Sequence, residues 1–318
     1  MFNIVKHRKL YFLLSTLVIV PGIVAMIYST VTIGSPVRLS IDFVGGSLFE
    51  LQFDGEATES EIRDVFADFG LTDIVVQELR PVGEAADNTD VSRWQVRTEF
   101  VEPETTEAIK QALNDRIAPL DEGATSVSQV TPTIGAEVTQ AAIIAVIIAT
   151  AVILMFIVFA FRQVPNAFRY GACAIAAMIH DILVTMGIMS ILGLLFGWEV
   201  DALFLTAMLT VVGFSVQDSI VVFDRIRENT HRRRGEPYEL LVNRSLLETI
   251  HRSLATQLNA FFVMAAILLF GGDTIKQFVA ILFVGMLSGT YSSIFNAVPL
   301  LVAWEKGEIP LLKGGQHA

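Results

Sequence analysis

VVGFSVQDSIVVFDRIR, residues 211–227, decides how this chain is read. Asp218 lies inside an apolar run that begins at residue 202 and extends to 223. At the helical rise that run is about 33 Å long, enough to cross the hydrocarbon of a bilayer. A carboxylate is costly at such a position, so it needs a partner or a function. Five more apolar runs of spanning length lie at 10–31, 138–160, 169–195, 251–271 and 276–303. The last two are joined through Gly271, Gly272 and Asp273. The 318-residue chain is 53% hydrophobic, with a mean hydropathy of +0.58, too apolar for a water-soluble domain of this length. The fold class expected is an α-helical membrane bundle of six transmembrane helices.

The first run follows a basic segment, but it is too long for a signal-peptide core and no small-x-small site follows it, so it reads as a retained helix. The single cysteine, Cys173, excludes an intramolecular disulfide and a cysteine-rich metal site. Net charge is −11 and unevenly placed: residues 32–135 carry 20 Asp/Glu against 7 Lys/Arg, and the remainder 13 against 15. The acidic stretch is a distinct solvated unit that argues against nucleic acid or anionic lipid as its partner. Lys6, Arg8 and Lys9, then Arg162 and Arg169, then Arg225, Arg227 and Arg232–Arg234, fall on one side of a six-span chain. That side is expected to be cytoplasmic, with both termini, and residues 36–135 extracytoplasmic. The domains expected are 1–35, the N-terminus and helix one; 36–135, the α+β domain; 136–304, helices two to six; and 305–318, a cytoplasmic tail.

Within the acidic domain, strands are predicted at 47–53, 73–79, 91–100 and 125–130, helices at 58–69 and 103–117, and a polar turn at 81–90. Ile62, Val65, Phe66 and Phe69 share one helical face, and Pro103 suits a first helical turn. The β-α-β-β-α-β order predicts a small ferredoxin-like domain between helices one and two.

Gly285, Gly289 and Ser293 recur at four-residue spacing on helix six and permit close backbone approach. Gly171, Ala174 and Met178 on helix three, and Gly213 before Gln217 on helix four, read the same way. Ser215, Gln217 and Ser219 make a polar strip around Asp218. Asp181 lies 12 residues beyond Arg169, about 18 Å along helix three, with His180 beside it but directed elsewhere. Asp181 is either a second proton stop or a packing partner for helix four. Arg252, at the start of helix five behind an amphipathic stretch at 239–250, is placed to reach Asp218. That pair is either a static ion pair or a protonatable site, since desolvation favours the neutral acid and a nearby cation the charged one. Asp224, Arg225, Arg227 and Glu228 mark the exit of helix four.

The sequence has no GxxxxGK[ST], HExxH or GxSxG motif and no Cys/His cluster. No enzyme activity, cofactor or metal is expected. If the protein performs work, an ion gradient is the natural source.

Three signatures carry a resemblance. IDFVGG at 41–46 contains Asp42, Gly45 and Gly46; AMIHD spans 177–181; VGFSVQDSIVVFDRIREN spans 212–229 and includes Asp224 and Arg225. With Arg252 in TIHRSLATQ, the chain resembles the SecF proteins of the SecD/SecF protein-export family, relatives of the proton-driven resistance–nodulation–division transporters. The resemblance implies that Asp218 is a proton-relay carboxylate, Arg252 its partner and Asp181 a supporting position. Gln217 stands where the family often has asparagine, and Arg162-Gln163 departs from the commoner loop after helix two. The family further implies a SecD-like partner, the SecYEG channel, a YajC-like small subunit and a translocating preprotein, in the bacterial cytoplasmic (inner) membrane. A half-size small-molecule exporter and a non-translocating scaffold are the rival readings.

Overall fold

The computed structural model describes residues 3–79, 91–162, 166–233 and 235–308. The expected turn at 81–90, Gln163, Arg234 and the tail beyond 308 lie outside them. The chain divides into two compact units, Met1–Arg38 with Ile144–Ala318, and Leu39–Ile143.

In the first unit, a short turn at Val5–His7 leads into α1 (Arg8–Ile33). It is followed by α5 (Pro132–Ala160), whose residues from Ile144 on belong to this unit, α6 (Ala167–Phe196), α7 (Ala202–Arg232), α8 (Tyr238–Phe270), α9 (Asp273–Ser292), a π-helical turn at Ser293–Ala297, and α10 (Val298–Glu305). The remaining helices, α2 (Ile41–Val44), α3 (Glu59–Asp68) and α4 (Pro103–Arg116), belong to the second unit. Among the described residues six helical segments are long and apolar enough to cross a membrane. α6, α7 and the last span are about half buried, whereas α1, α5 and α8 turn most of their apolar side chains outward. Water would penalise such a surface; lipid does not.

Several helices run further than the sequence reading placed them: α5 begins at Pro132 rather than 138, and α7 and α8 extend most. α7 continues to Arg232 because ion pairs at helical spacing carry it past the apolar run: Arg227 to Asp224 at 2.6 Å, Arg225 to Glu228 at 2.5 Å and Arg232 to Glu228 at 2.8 Å. The amphipathic stretch at 239–250 is not separate from helix five. No Gly or Pro interrupts Tyr238–Phe270, so both form the single helix α8.

Small residues set the closest contacts. A Cβ on Gly285 of α9 would lie 2.3 Å from Val211 Cγ2 on α7, and one on Gly289 3.3 Å from Ser215 Cβ. α1 crosses α6 at Gly22 and Gly187, where a Cβ on Gly22 would lie 2.8 Å from the Gly187 Cα. Gly171 meets Leu154 of α5, whereas Gly213 faces open space. At one end of the bundle Phe161, Tyr170 and Phe223 stack face-to-face and edge-to-face. The Asn243 side chain there accepts a hydrogen bond from the Ile4 N–H at 2.8 Å. The π-helical turn widens the last span just before Pro299, which can donate no backbone hydrogen bond.

The start of α1 and the residues after α10 meet at that same side of the unit. Arg8 donates through Nε to Glu308 at 2.9 Å, and its second nitrogen bonds the other carboxylate oxygen. Lys306 pairs with Glu239 and Arg169 with Glu305. The Arg8 hydrogen bond holds the Glu308 carboxyl below the ordinary carboxylate range. A depressed carboxylate stabilises at pH above its unfolded value and stops doing so as pH falls through its folded value. A spin label at Gly307→Cys should therefore be immobile near neutrality and mobile at strongly acid pH. With Arg8→Gln it should be mobile at both, and a label immobile throughout in that variant would contradict the clasp.

The second unit holds β1 (Gly46–Phe53), β2 (Val75–Glu78), β3 (Ser92–Thr98) and β4 (Ser126–Val130) in the order β2-β3-β1-β4, every pair antiparallel. Alternation puts Phe49, Leu51, Phe53, Trp94 and Val96 on one face. They pack with Ile62, Val65 and Phe66 of α3 and Ile109 and Leu113 of α4. Thr58 and Glu61 form a capping box at the start of α3, and Pro103 occupies the first turn of α4.

Candidate functional site

Among the described residues two carboxylates are buried inside the helical unit, and their surroundings differ. Asp181 is fully buried and is the hub of a polar cluster drawn from three helices. Ser215 of α7 donates to its Oδ2 at 2.5 Å and Ser292 of α9 to the same oxygen at 2.6 Å. Ser288 of α9 donates to Oδ1 at 2.7 Å. His180 Nδ1 lies 3.0 Å from Oδ1. The histidine thus turns toward its neighbour rather than away from it, correcting the expectation from helical spacing. Its ring lies beside Tyr291, at 6.0 Å between centroids, and its Nε2 is buried without a hydrogen-bond partner among the described residues. The glycine face of α9 makes this convergence possible: a Cβ on Gly289 would lie 3.3 Å from Ser215 Cβ and 3.7 Å from Asp181 Oδ2, so a longer side chain would contest the space.

Asp218 is 5% exposed, one turn further along α7 from Ser215. Its Oδ2 accepts a hydrogen bond from Gln257 Nε2 of α8 at 2.9 Å. Ser253, one turn before Gln257 on the same face, is also buried. The Ser253 hydroxyl and Gln257 Oε1 make no further hydrogen bond of ordinary geometry among the described residues. Ser219 donates to the Ser215 backbone carbonyl at 3.2 Å within α7, and Ser215, which bonds Asp181, stands one turn from Asp218 on the same helix. Gln217 is exposed and takes no part.

The expected Asp218–Arg252 pair is not formed. Arg252 is exposed on α8 and makes no ion pair among the described residues. Consecutive helical residues are about 100° apart, so the face that carries Ser253 and Gln257 toward α7 turns Arg252 away. Arg252 instead lines a recess of 430 Å³ with Phe156, Ile220, Asp224 and Arg225. At its rim Arg225 bonds Glu248 at 2.5 Å, and Asn229 bonds Ser245 and Glu248. The charges that close helix four therefore form a network with α8. Sequence reasoning missed Gln257, Ser253 and Ser288. Their signal was the four-residue spacing of Ser253 with Gln257 and of Ser288 with Ser292.

The IDFVGG segment lies in the second unit. Ser40 caps α2 by accepting the Asp42 N–H at 3.2 Å. Gly45 and Gly46 have φ of +76° and +130°, values that favour glycine.

Residues 109–307 match the family described as "Protein export membrane protein SecD/SecF, C-terminal", and residues 31–57 the "SecD/SecF GG Motif". Protein translocase subunit SecF of Anaerolinea thermophila is 45% identical over 313 residues, covering 97% of this chain and 96% of that protein. The chain belongs to the SecF family of protein translocase subunits. SecF of Thermobaculum terrenum is 44% identical, with 96% and 94% coverage. The crystal structure of SecDF from Thermus thermophilus, described as a translocon-associated membrane protein, superimposes with a TM-score of 0.79 at 28% identity. It covers 96% of this chain, which spans 39% of that one. This SecF-family chain is accordingly a multi-pass membrane protein and an accessory subunit of the Sec protein translocase. Both buried carboxylates lie within the larger family match.

Proposed function

We propose that this SecF-type subunit works with a SecD-like partner to couple the proton-motive force to late steps of preprotein export through the SecYEG channel. A YajC-like small subunit joins the assembly. The single observation that carries this reading is the setting of Asp218. It is a carboxylate buried in a spanning helix, bonded to a neutral amide and in no ion pair among the described residues. Such a group is tolerated in hydrocarbon at lower cost when it carries a proton, so a proton can arrive and leave as the helices repack. Asp218 is the exchanging group. Gln257 holds it, and Ser215, one turn away on α7, leads on to Asp181 and His180. Arg252 acts from the outward face of α8 and reaches Asp218 only in another arrangement of α7 and α8.

The βαββαβ unit with strand order β2-β3-β1-β4 is read as a ferredoxin-like domain, residues 36–135 in the extracytoplasmic space. The protein sits in the bacterial inner membrane, with helices two to six in 136–304 and both termini cytoplasmic, as the Lys/Arg placement favours. The SecD-like partner is supported by the SecDF fusion, of which this chain matches a part. Export of a preprotein into inverted membrane vesicles, with and without a proton gradient, tests the reading. Wild-type protein should export faster with the gradient, whereas a gradient effect undiminished in Asp218→Asn would favour a scaffold.

A further inference from the structure

The glycine pair of IDFVGG has no place in the ion-coupling scheme, yet its contacts are among the closest in the second unit. A Cβ on Gly45 would lie 2.6 Å from the Pro132 Cα and 2.7 Å from its nitrogen. On Gly46 it would lie 2.6 Å from the Thr98 carbonyl oxygen, and on Gly135 2.8 Å from both Gly45 N and Phe43 O. No side chain can enter a gap of that size without moving backbone. Three glycines from two distant stretches thus let main chain lie directly on main chain. Thr139 Oγ1, one turn after Gly135, adds a hydrogen bond to the Phe43 carbonyl at 3.3 Å. Gly46 pairs with Val130 at the end of β4, so the glycine that packs on α5, Gly45, adjoins one that is fixed in the sheet.

One residue, Thr131, separates β4 from α5. α5 then runs unbroken from Pro132 to Ala160, and its turns up to Ile143 belong to the second unit. The other covalent route into that unit, through Gly34 and residues 35–40, has neither helix nor extended strand. A continuous helix transmits a rotation, whereas an irregular segment absorbs it.

We infer that Gly45, Gly46 and Gly135 form a backbone clamp that makes the first turns of α5 a rigid arm of the α+β unit, and that this arm carries movement between the unit and the apolar part of α5 during export. The inference rests on the proposed gradient-driven reading for its purpose, but the clamp itself can be measured separately.

The test uses the full chain with its SecD-like partner in proteoliposomes. Spin labels are placed at Asp64→Cys on α3 and Gln140→Cys on α5 in a Cys173→Ala background. Wild type should give one narrow distance, the same with and without a proton gradient. Gly135→Leu should broaden it and reduce gradient-stimulated export to the gradient-free rate. If the leucine variant does not assemble with the partner, Gly135→Ala is read on the same terms, since a single methyl already meets backbone at 2.8 Å. A wild-type distance that shifts with the gradient would overturn the rigid arm. So would a narrow distance, or undiminished export, in the glycine variant. Asp218→Asn with the same labels separates the two ideas: it should lose the gradient effect and keep the narrow distance. Retained stimulation there would sink the ion-coupling reading and leave the distances to judge the clamp.

Discussion

Replacing Asp218 by asparagine is expected to abolish gradient-stimulated export while leaving the protein folded and assembled. The two side chains have nearly the same shape, and the asparagine carbonyl can still accept the Gln257 hydrogen bond that Asp218 accepts at 2.9 Å. Stability should therefore change by no more than about 1 kcal/mol, as expected where neither a cavity nor an unpaired charge is created. The amide cannot bind and release a proton near neutral pH, so the gradient loses its point of entry. One charge crossing about 100 mV releases about 2.3 kcal/mol, and that contribution disappears entirely. Export rates in inverted vesicles check this, with ATP-driven translocation in the absence of a gradient as the internal reference. A variant that failed to assemble would show instead that the carboxylate is structural.

The largest structural effect is expected at Gly285. A Cβ there already falls 2.3 Å from Val211 Cγ2 and 3.1 Å from Cγ1. Val211 is fully buried, so its methyls have nowhere to go and α9 must move off α7. Overpacking of this kind commonly costs about 1–3 kcal/mol, and more when backbone must shift. Gly285→Leu should exceed that range, because the serines that reach Asp181 stand on the same helix and would be displaced with it. The folded fraction in detergent and the midpoint of thermal unfolding measure the loss. Gly285→Ala should be milder and should be largely rescued by Val211→Ala, which removes both clashing methyls. An unfolding midpoint unchanged in Gly285→Leu would contradict the close α7–α9 contact.

Much of this architecture was legible in the residues themselves. Six apolar runs announced six helices because hydrocarbon length is fixed, and alternation along 91–100 announced β3. The α9 glycines pointed to a close contact for the same reason that Val211 now leaves no room beside Gly285. What escaped was rotational and pairwise. A charge opposite a buried acid is the cheapest partner on electrostatic grounds, which favoured Arg252. The continuous helix α8 points Ser253 and Gln257 inward instead, and an amide at that position carries no charge signature to find. His180 was misdirected because helical spacing alone treats neighbours as divergent, while a histidine beside an aspartate can fold its ring back to reach it. The Gly22–Gly187 crossing was invisible because each glycine stands alone in its own helix and only the tertiary pairing gives it meaning. The long α7 depended on ion pairs beyond the apolar run, where hydropathy has no signal.

Isotope-edited infrared spectroscopy of the reconstituted complex, subtracting Asp218→Asn from wild type, looks at the decisive group directly. A protonated-carboxyl stretch belonging to Asp218 should be present in one state of the complex and replaced by a carboxylate band when the gradient is imposed or reversed. An unchanging carboxylate band under every condition would mean that this aspartate never takes up a proton, and the coupling scheme would be wrong.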